Sequence, residues 1–252
     1  MRVAVVGGTG LVGRHAVEAL RHAGHDAVVV ARSTGTDVVT GAGLGAALAG
    51  VEAVIDVTNT TAQDAAAARE FFATSTAHLL AAEARAGVGH HVVLSIVGVD
   101  RIEGNAHFVG KRRQEELALA GPIPVTVVRA TQFHEFAAQV VSWTRHGDVA
   151  TVPPLLVQPV AASDVGEILA EVATRTPHGG TPELAGPETQ DLVDMARRTL
   201  AARGQSVRLV PSWRAGPFGV EMAGEVLLPG PRARLAPTTF DAWLATETGQ
   251  RD

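Results

Sequence analysis

The run Val3-Ala4-Val5-Val6-Gly7-Gly8-Thr9-Gly10-Leu11-Val12-Gly13 decides the fold. Residues 3–6 are continuously apolar, as in a buried strand, and residues 11–23 carry a helical pattern. Glycines at 7, 10 and 13 lie between and across the two. Strand, glycine turn and helix in that order build a phosphate cradle. Gly7 permits the tight turn, Gly10 lets backbone approach a pyrophosphate, and Gly13 lets helix and strand pack closely. The helix start adds unpaired N–H groups and the positive end of its dipole. The motif predicts that Gly7, Thr9, Gly10, Leu11, Val12 and Gly13 hold a dinucleotide; the plainer alternative is a set of turn glycines.

Outward from this motif, short β-branched runs alternate with Ala-rich helical stretches, the pattern of repeated βαβ units around a parallel sheet. Strands are expected at 3–6, 27–31, 37–39, 53–57, 91–95 and 125–129, each nearly continuous in apolar residues, as strands covered on both faces are. Helices are expected at 11–23, 44–49, 64–86, 109–120 and 133–145. Gly24, Gly50, Gly87 and Gly121 follow such stretches and suit left-handed helix ends. Beyond residue 152 prolines punctuate the chain. There the reading is a strand at 156–160, a helix at 164–174 capped by Ser163, a helix at 192–202, a strand at 207–210 and a terminal helix at 239–245. The expected fold class is α/β, a doubly wound parallel sheet of Rossmann type with a small C-terminal substrate lobe. One main domain is expected, in which residues 1–152 form the dinucleotide-binding core and residues 153–252 complete the sheet and the lobe as part of the same structural unit.

The end of the second strand lies about 20 residues past the last glycine, where an acidic side chain accepts hydrogen bonds from the ribose of NAD. This chain has Ala31-Arg32-Ser33-Thr34 there. A cation at Arg32, with Ser33 beside it, suits the 2′-phosphate of NADP, which is favoured over NAD; a solvated surface arginine is the alternative. Thr58 and Asn59, after the fourth strand, stand at the same edge, in reach of cofactor ribose or phosphate.

Composition removes whole classes of function. The 252 residues carry a formal net charge of −5, so no nucleic-acid partner is expected. With no Cys there is no disulfide, thiol nucleophile or thiolate metal site, and no metal site is expected. The apolar start is too short for an export signal or a membrane span, so a cytoplasmic protein without membrane contact is expected, a monomer or homodimer acting on a small-molecule substrate. There is no Tyr, which excludes a phenol as proton donor.

With these residues in view, the chain resembles atypical short-chain dehydrogenase/reductases of the NmrA-like, NADPH-azoreductase-like group. The resemblance spans nearly the whole chain. It rests on the three glycines, residues 54–59, the run Leu94-Ser95-Ile96-Val97-Gly98, Lys111, the run Arg129-Ala130-Thr131-Gln132-Phe133, residues 158–160 and residues 228–231. In the wider superfamily a Ser steadies the carbonyl, a Tyr donates the proton, and a Lys four residues beyond it binds the nicotinamide ribose. The resemblance gives Ser95 and Lys111 two of these roles. The Tyr position is His107, which departs from the pattern and puts ordinary ketone reduction in doubt.

His107 has two readings, a substitute acid or a polar residue before a helix. Lys111 has two as well: a ribose ligand, or a solvated residue in an exposed helical run 111–116, where Arg112 and Glu116 are spaced to pair. Ser95 either meets the cofactor or caps backbone. Gln132, Phe133 and His134 line the nicotinamide side, with Gln132 or His134 meeting substrate; for Phe133 core packing competes. Trp143, Phe136, Trp213, Phe218 and Met222 either wall a substrate pocket or fill core. The resemblance implies an NAD(P)H-dependent reductase of a quinone, azo compound or similar electron-poor acceptor, or a redox sensor that binds NADP without turnover.

Overall fold

Residues 1–177, 179–214 and 218–248 are described in this computed structural model. The chain packs as two compact units, Met1–Arg129 with Val165–Pro182, and Ala130–Asp164 with Glu183–Asp252. The units interleave along the sequence. One reason lies in α6 (Ala162–Ala173), whose Gly166 fits so tightly against α1 that an added Cβ would sit 2.5 Å from the Cβ of His15. That helix belongs with the N-terminal strands despite its late place in the chain.

In the first unit the strand order is β5 (Val125–Ala130), β4 (His90–Ile96), β3 (Ala53–Asp56), β1 (Arg2–Val6) and β2 (Asp26–Val30). The pairs β1–β2, β1–β3 and β3–β4 are parallel, with Val6 opposite both Val30 and Asp56. From β1 the chain steps to β2 on one side, then returns past β1 to β3 on the other. Because such crossovers are right-handed, the reversal puts the connecting helices on opposite faces, and the sheet is doubly wound. Ala4, Val6, Val30 and Val54 accordingly share one cluster with Leu44 and Leu48 around α2 (Leu44–Ala47) and with Leu79, Leu80 and Ala82 of α3 (Ala65–Ala86). Val3 and Val5, equally buried, alternate to the other face. Helix α1 (Leu11–His22) packs on β1 and β2, and α3 packs along α4 (Ala106–Ala120). Alongside β5, Val127 and Arg129 donate their N–H groups to Gly180 and Pro182.

The second unit holds α5 (Phe136–Thr144), followed by β6 (Arg145–His146), β7 (Val149–Val152) and β8 (Leu156–Val157). Beyond these come β9 (Glu183–Ala185), β10 (Gln190–Asp191), α7 (Leu192–Ala202), β11 (Arg208–Pro211), β12 (Arg234–Leu235) and α8 (Phe240–Thr248). Strand β7 pairs β6 antiparallel and β11 parallel; β8 pairs β10 antiparallel, and β9 pairs β12 parallel.

Several local expectations are corrected. Residues 37–39 are not a strand: the Asp37 carboxylate takes the Val39 N–H at 2.8 Å and folds the segment into a turn. The strand expected at 156–160 stops at Val157, before Gln158 and Pro159. Ser163 is inside α6 rather than capping it. Helix α4 starts at Ala106, because the Asn105 side chain accepts the N–H groups of His107 and Phe108. Gly87 has the left-handed conformation expected at a helix end (φ 73°), whereas Gly121 is extended (φ −74°). Among the described residues no helix is long and apolar enough to cross a membrane.

Candidate dinucleotide site

Parallel pairing in register brings four strand ends to one edge. Gly7 donates its N–H to Val30 at 2.9 Å, and Val57 donates to Val6 at 3.0 Å. The glycine turn, Arg32, Thr58 and Ser95 therefore all stand within a few residues of paired positions. The strand order reverses between β3 and β1, and open α/β sheets bind ligands outside the carboxyl ends at such a reversal.

The glycine turn has the shape its sequence predicts. Gly7 lies in the left-handed region (φ 84°), which favours glycine. At Gly13 an added Cβ would stand 2.2 Å from the Gly7 carbonyl oxygen, so only a bare backbone allows this approach of α1 to the turn. The first hydrogen bond of α1 runs from the Arg14 N–H to the Gly10 carbonyl at 3.1 Å, which leaves the N–H groups of Leu11, Val12 and Gly13 without acceptors inside the helix. Thr9, Gly10 and Leu11 are exposed at this mouth. A concave glycine backbone, free amides and a dipole's positive end together fit a pyrophosphate.

Arg32 and Ser33 are exposed in a 3₁₀ turn directly after β2. Thr34 fixes that turn: its hydroxyl accepts the Ala31 N–H at 3.0 Å and lies 2.8 Å from the Ala31 carbonyl. The guanidinium thus projects from a braced turn, and among the described residues it makes no ion pair.

Thr58 is buried and Asn59 exposed. Asn59 turns its side-chain oxygen to the Thr60 N–H at 2.8 Å. The Ser95 side chain is buried, and its Oγ has no hydrogen-bond partner among the described residues. Such an orphan is costly, which marks the end of β4 as a place where a polar group is wanted.

The run 111–116 is not an exposed face. Lys111, Gln114 and Glu115 are all buried. The Lys111 ammonium donates to the carbonyls of Thr58 (3.2 Å) and Leu94 (2.8 Å) and to Gln114 Oε1 (2.8 Å), over the Phe72 ring at 4.9 Å. Burial pushes its pKa down to about 8, partly opposed by Asp56 and Glu115. Arg112 does not pair with Glu116; it donates to the Val99 and Ile102 carbonyls, while Glu115 holds Arg129 in a two-pronged pair at 3.0 and 2.7 Å.

His107 sits near Phe72, with ring centres 6.3 Å apart. Burial, and then the nearby Lys111 charge, lower its pKa to about 4. Its surroundings therefore favour the neutral ring at neutral pH over the charged acid.

In the second unit, Gln132 and His134 flank a parallel bridge between Phe133 and Val160. Gln132 Oε1 is buried with no partner among the described residues. His134 is fully buried, its Nε2 3.1 Å from the Thr238 carbonyl and its ring among Phe240 and Trp243. That contact ties it to the residue two before α8, while its Nδ1 is buried with no partner among the described residues. Phe136, Trp143 and Phe218 form one aromatic cluster, with Trp143 stacked on Phe218 at 24° and half exposed. Met222 is buried, and Trp213 makes no ring contact with them among the described residues.

Two participants were missed, Asp56 and Gln114. Asp56 ends an otherwise apolar strand yet is buried, and both its oxygens are used: one accepts the Thr58 N–H at 2.9 Å, the other the Gln114 amide at 2.8 Å. A carboxylate inside an apolar strand was the available signal. Gln114 had only its spacing of three from Lys111 along the helix.

Comparison with known proteins bears on the fold. The sequence profile of the NAD dependent epimerase/dehydratase family matches residues 3–96, from β1 to the end of β4. No curated protein matches the chain. A short-chain dehydrogenase/reductase superfamily protein of Agrobacterium tumefaciens with bound NAD is 20% identical, with a TM-score of 0.70 over 100% of this chain and 97% of that one. An NADPH-dependent quinone oxidoreductase of Escherichia coli is 15% identical, with a TM-score of 0.69 over 97% and 98%. The triphenylmethane reductase of a Citrobacter species is 18% identical, with a TM-score of 0.64 over 84% and 79%. The resemblance read from the sequence thus extends to the fold. The chain has the Rossmann-type fold of short-chain dehydrogenase/reductases, and its residues 3–96 match the NAD dependent epimerase/dehydratase family.

Proposed function

We propose that this protein is a reductase that takes hydride from NADPH, in preference to NADH, and delivers it to a flat, electron-poor small molecule such as a quinone or an azo compound. The observation that carries the reading is the glycine cradle at the mouth of α1, packed so closely that a Cβ at position 13 would stand 2.2 Å from the Gly7 oxygen. Arg32, exposed on its braced turn, supports the 2′-phosphate and hence NADPH.

The acceptor class follows from what the site lacks. There is no tyrosine, burial and Lys111 disfavour a charged His107, and Lys111 is committed inward. A ketone reduced to an alkoxide needs a proton delivered as the charge forms. A quinone or azo acceptor spreads that charge and takes its proton from solvent after the hydride has moved, so holding cofactor and acceptor in line suffices for the transfer itself. Bound at this edge, the dinucleotide supplies the hydride and the residues hold it in place. Two solved relatives in fold, the quinone oxidoreductase and the triphenylmethane reductase, act on acceptors of this kind by name.

The test is stopped-flow loss of NADPH absorbance against a panel of quinones and azo dyes. Acceptor-dependent oxidation, faster with NADPH than with NADH and with that preference reduced in Arg32→Ala, is expected. NADPH that binds but is never consumed by any acceptor would replace this reading with that of a redox sensor, which the absence of a proton donor also suits.

A further inference from the structure

We propose that Asp56, Gln114 and Lys111 form a buried relay that fixes the ends of β3 and β4, and that this relay, not a direct contact from Lys111, sets how tightly the dinucleotide is held. The inference rests on the reading of that edge as the cofactor's seat. It begins with a count of donors. An ammonium has three N–H groups. Those of Lys111 meet three acceptors, the Thr58 and Leu94 carbonyls and Gln114 Oε1, at 2.8 to 3.2 Å, and the Phe72 ring covers another side at 4.9 Å. No donor remains for a ribose hydroxyl unless one of these bonds is given up.

The same saturation fixes Gln114. Its oxygen faces the ammonium, so its NH2 faces the other way, where it meets Asp56 Oδ2 at 2.8 Å and Thr58 Oγ1 at 3.3 Å. Asp56 Oδ1 accepts the Thr58 N–H at 2.9 Å. Thr58 is thereby held at its N–H by β3, and at its hydroxyl and its carbonyl by α4. Leu94, next to Ser95, is held at its carbonyl by the same ammonium. The relay carries one positive and one negative charge separated by an amide, and its three side chains and that of Thr58 are buried. A polar network of this kind is rigid only while every member is satisfied. Asp56, Gln114 and Lys111 are in this account positioning residues.

Swapping the relay's groups tests it. Asp56→Asn puts an amide where the carboxylate accepted two donors, and Gln114→Glu sets a second carboxylate against Asp56. Combined, the two changes restore the donor–acceptor pairs, with the 56–114 hydrogen bond reversed in direction and the negative charge moved from position 56 to position 114. NADPH titration by calorimetry, with the melting temperature of the free protein beside it, should show each single variant binding about tenfold more weakly, the equivalent of one net hydrogen bond. The double variant should return to within about twofold of the parent. Singles that bind like the parent, or a double that binds no better than the weaker single, overturn the relay. Should a single variant not fold, the double decides alone, with parental binding in support and lost binding against. A parent chain that binds no dinucleotide defeats the proposed function itself; a parent that binds, with indifferent variants, defeats only the relay.

Discussion

Acidification should cost this protein stability at His107, by an amount set by the ring's burial. Unfolded, the imidazole titrates at its ordinary value of 6.5; folded, burial and the Lys111 charge hold it near 4. The folded state therefore binds fewer protons than the unfolded state between these two values. The contribution is neutral above pH 6.5, and stability is lost as pH falls from 6.5 to 4. At about 1.4 kcal/mol per unit, the lowering from 6.5 to about 4 amounts to about 3 kcal/mol at pH 4, with about 2 kcal/mol already lost at pH 5. Other groups titrate in this range, so the quantity to follow is the difference between the parent and His107→Gln, which cannot protonate there. Urea unfolding at intervals from pH 7.5 to pH 4.5 should show that difference moving in the variant's favour as pH falls. A flat difference would show that His107 is not held neutral by its surroundings. NADPH turnover at pH 7 should persist in the same variant, because a ring held in its neutral form does not act as the charged acid.

Two further substitutions probe the frame. Gly13→Ala sets a methyl group 2.2 Å from the Gly7 oxygen and 2.7 Å from the Gly8 Cα, backbone atoms with little room to yield. Chemical denaturation should register a loss of about 1–3 kcal/mol, and an undiminished midpoint would contradict the close approach. Arg129→Met strips Glu115 of both its short hydrogen bonds and leaves a nearly fully buried carboxylate. It should cost about 3–5 kcal/mol in urea unfolding, and adding Glu115→Gln should recover most of that; an exposed pair would show neither effect.

The first unit was legible because its signals are local. A strand, three glycines and a helix lie within residues 3–23, and strand patterns recur at 53–57, 91–95 and 125–129. Register alone then brings Arg32, Thr58 and Ser95 to one edge. What local pattern did not reveal is where α4 points its polar side chains. Lys111, Gln114 and Glu115 read as one charged, solvated run, yet each is buried by a partner far along the chain: the Leu94 carbonyl, Asp56 and Arg129. The strand expected at 37–39 failed for a different reason. Asp37 offers its carboxylate to nearby N–H groups, and that turn outcompetes a short apolar run. His134 follows β5, while the partner of its Nε2, the Thr238 carbonyl, lies 104 residues away.

The most direct test of the central claim is a backbone amide NMR titration with NADPH. Saturating shifts should concentrate at Leu11, Val12 and Gly13, whose N–H groups lack acceptors within α1. Binding that leaves these three amides unmoved, or no binding at all, would contradict the seat assigned to the pyrophosphate.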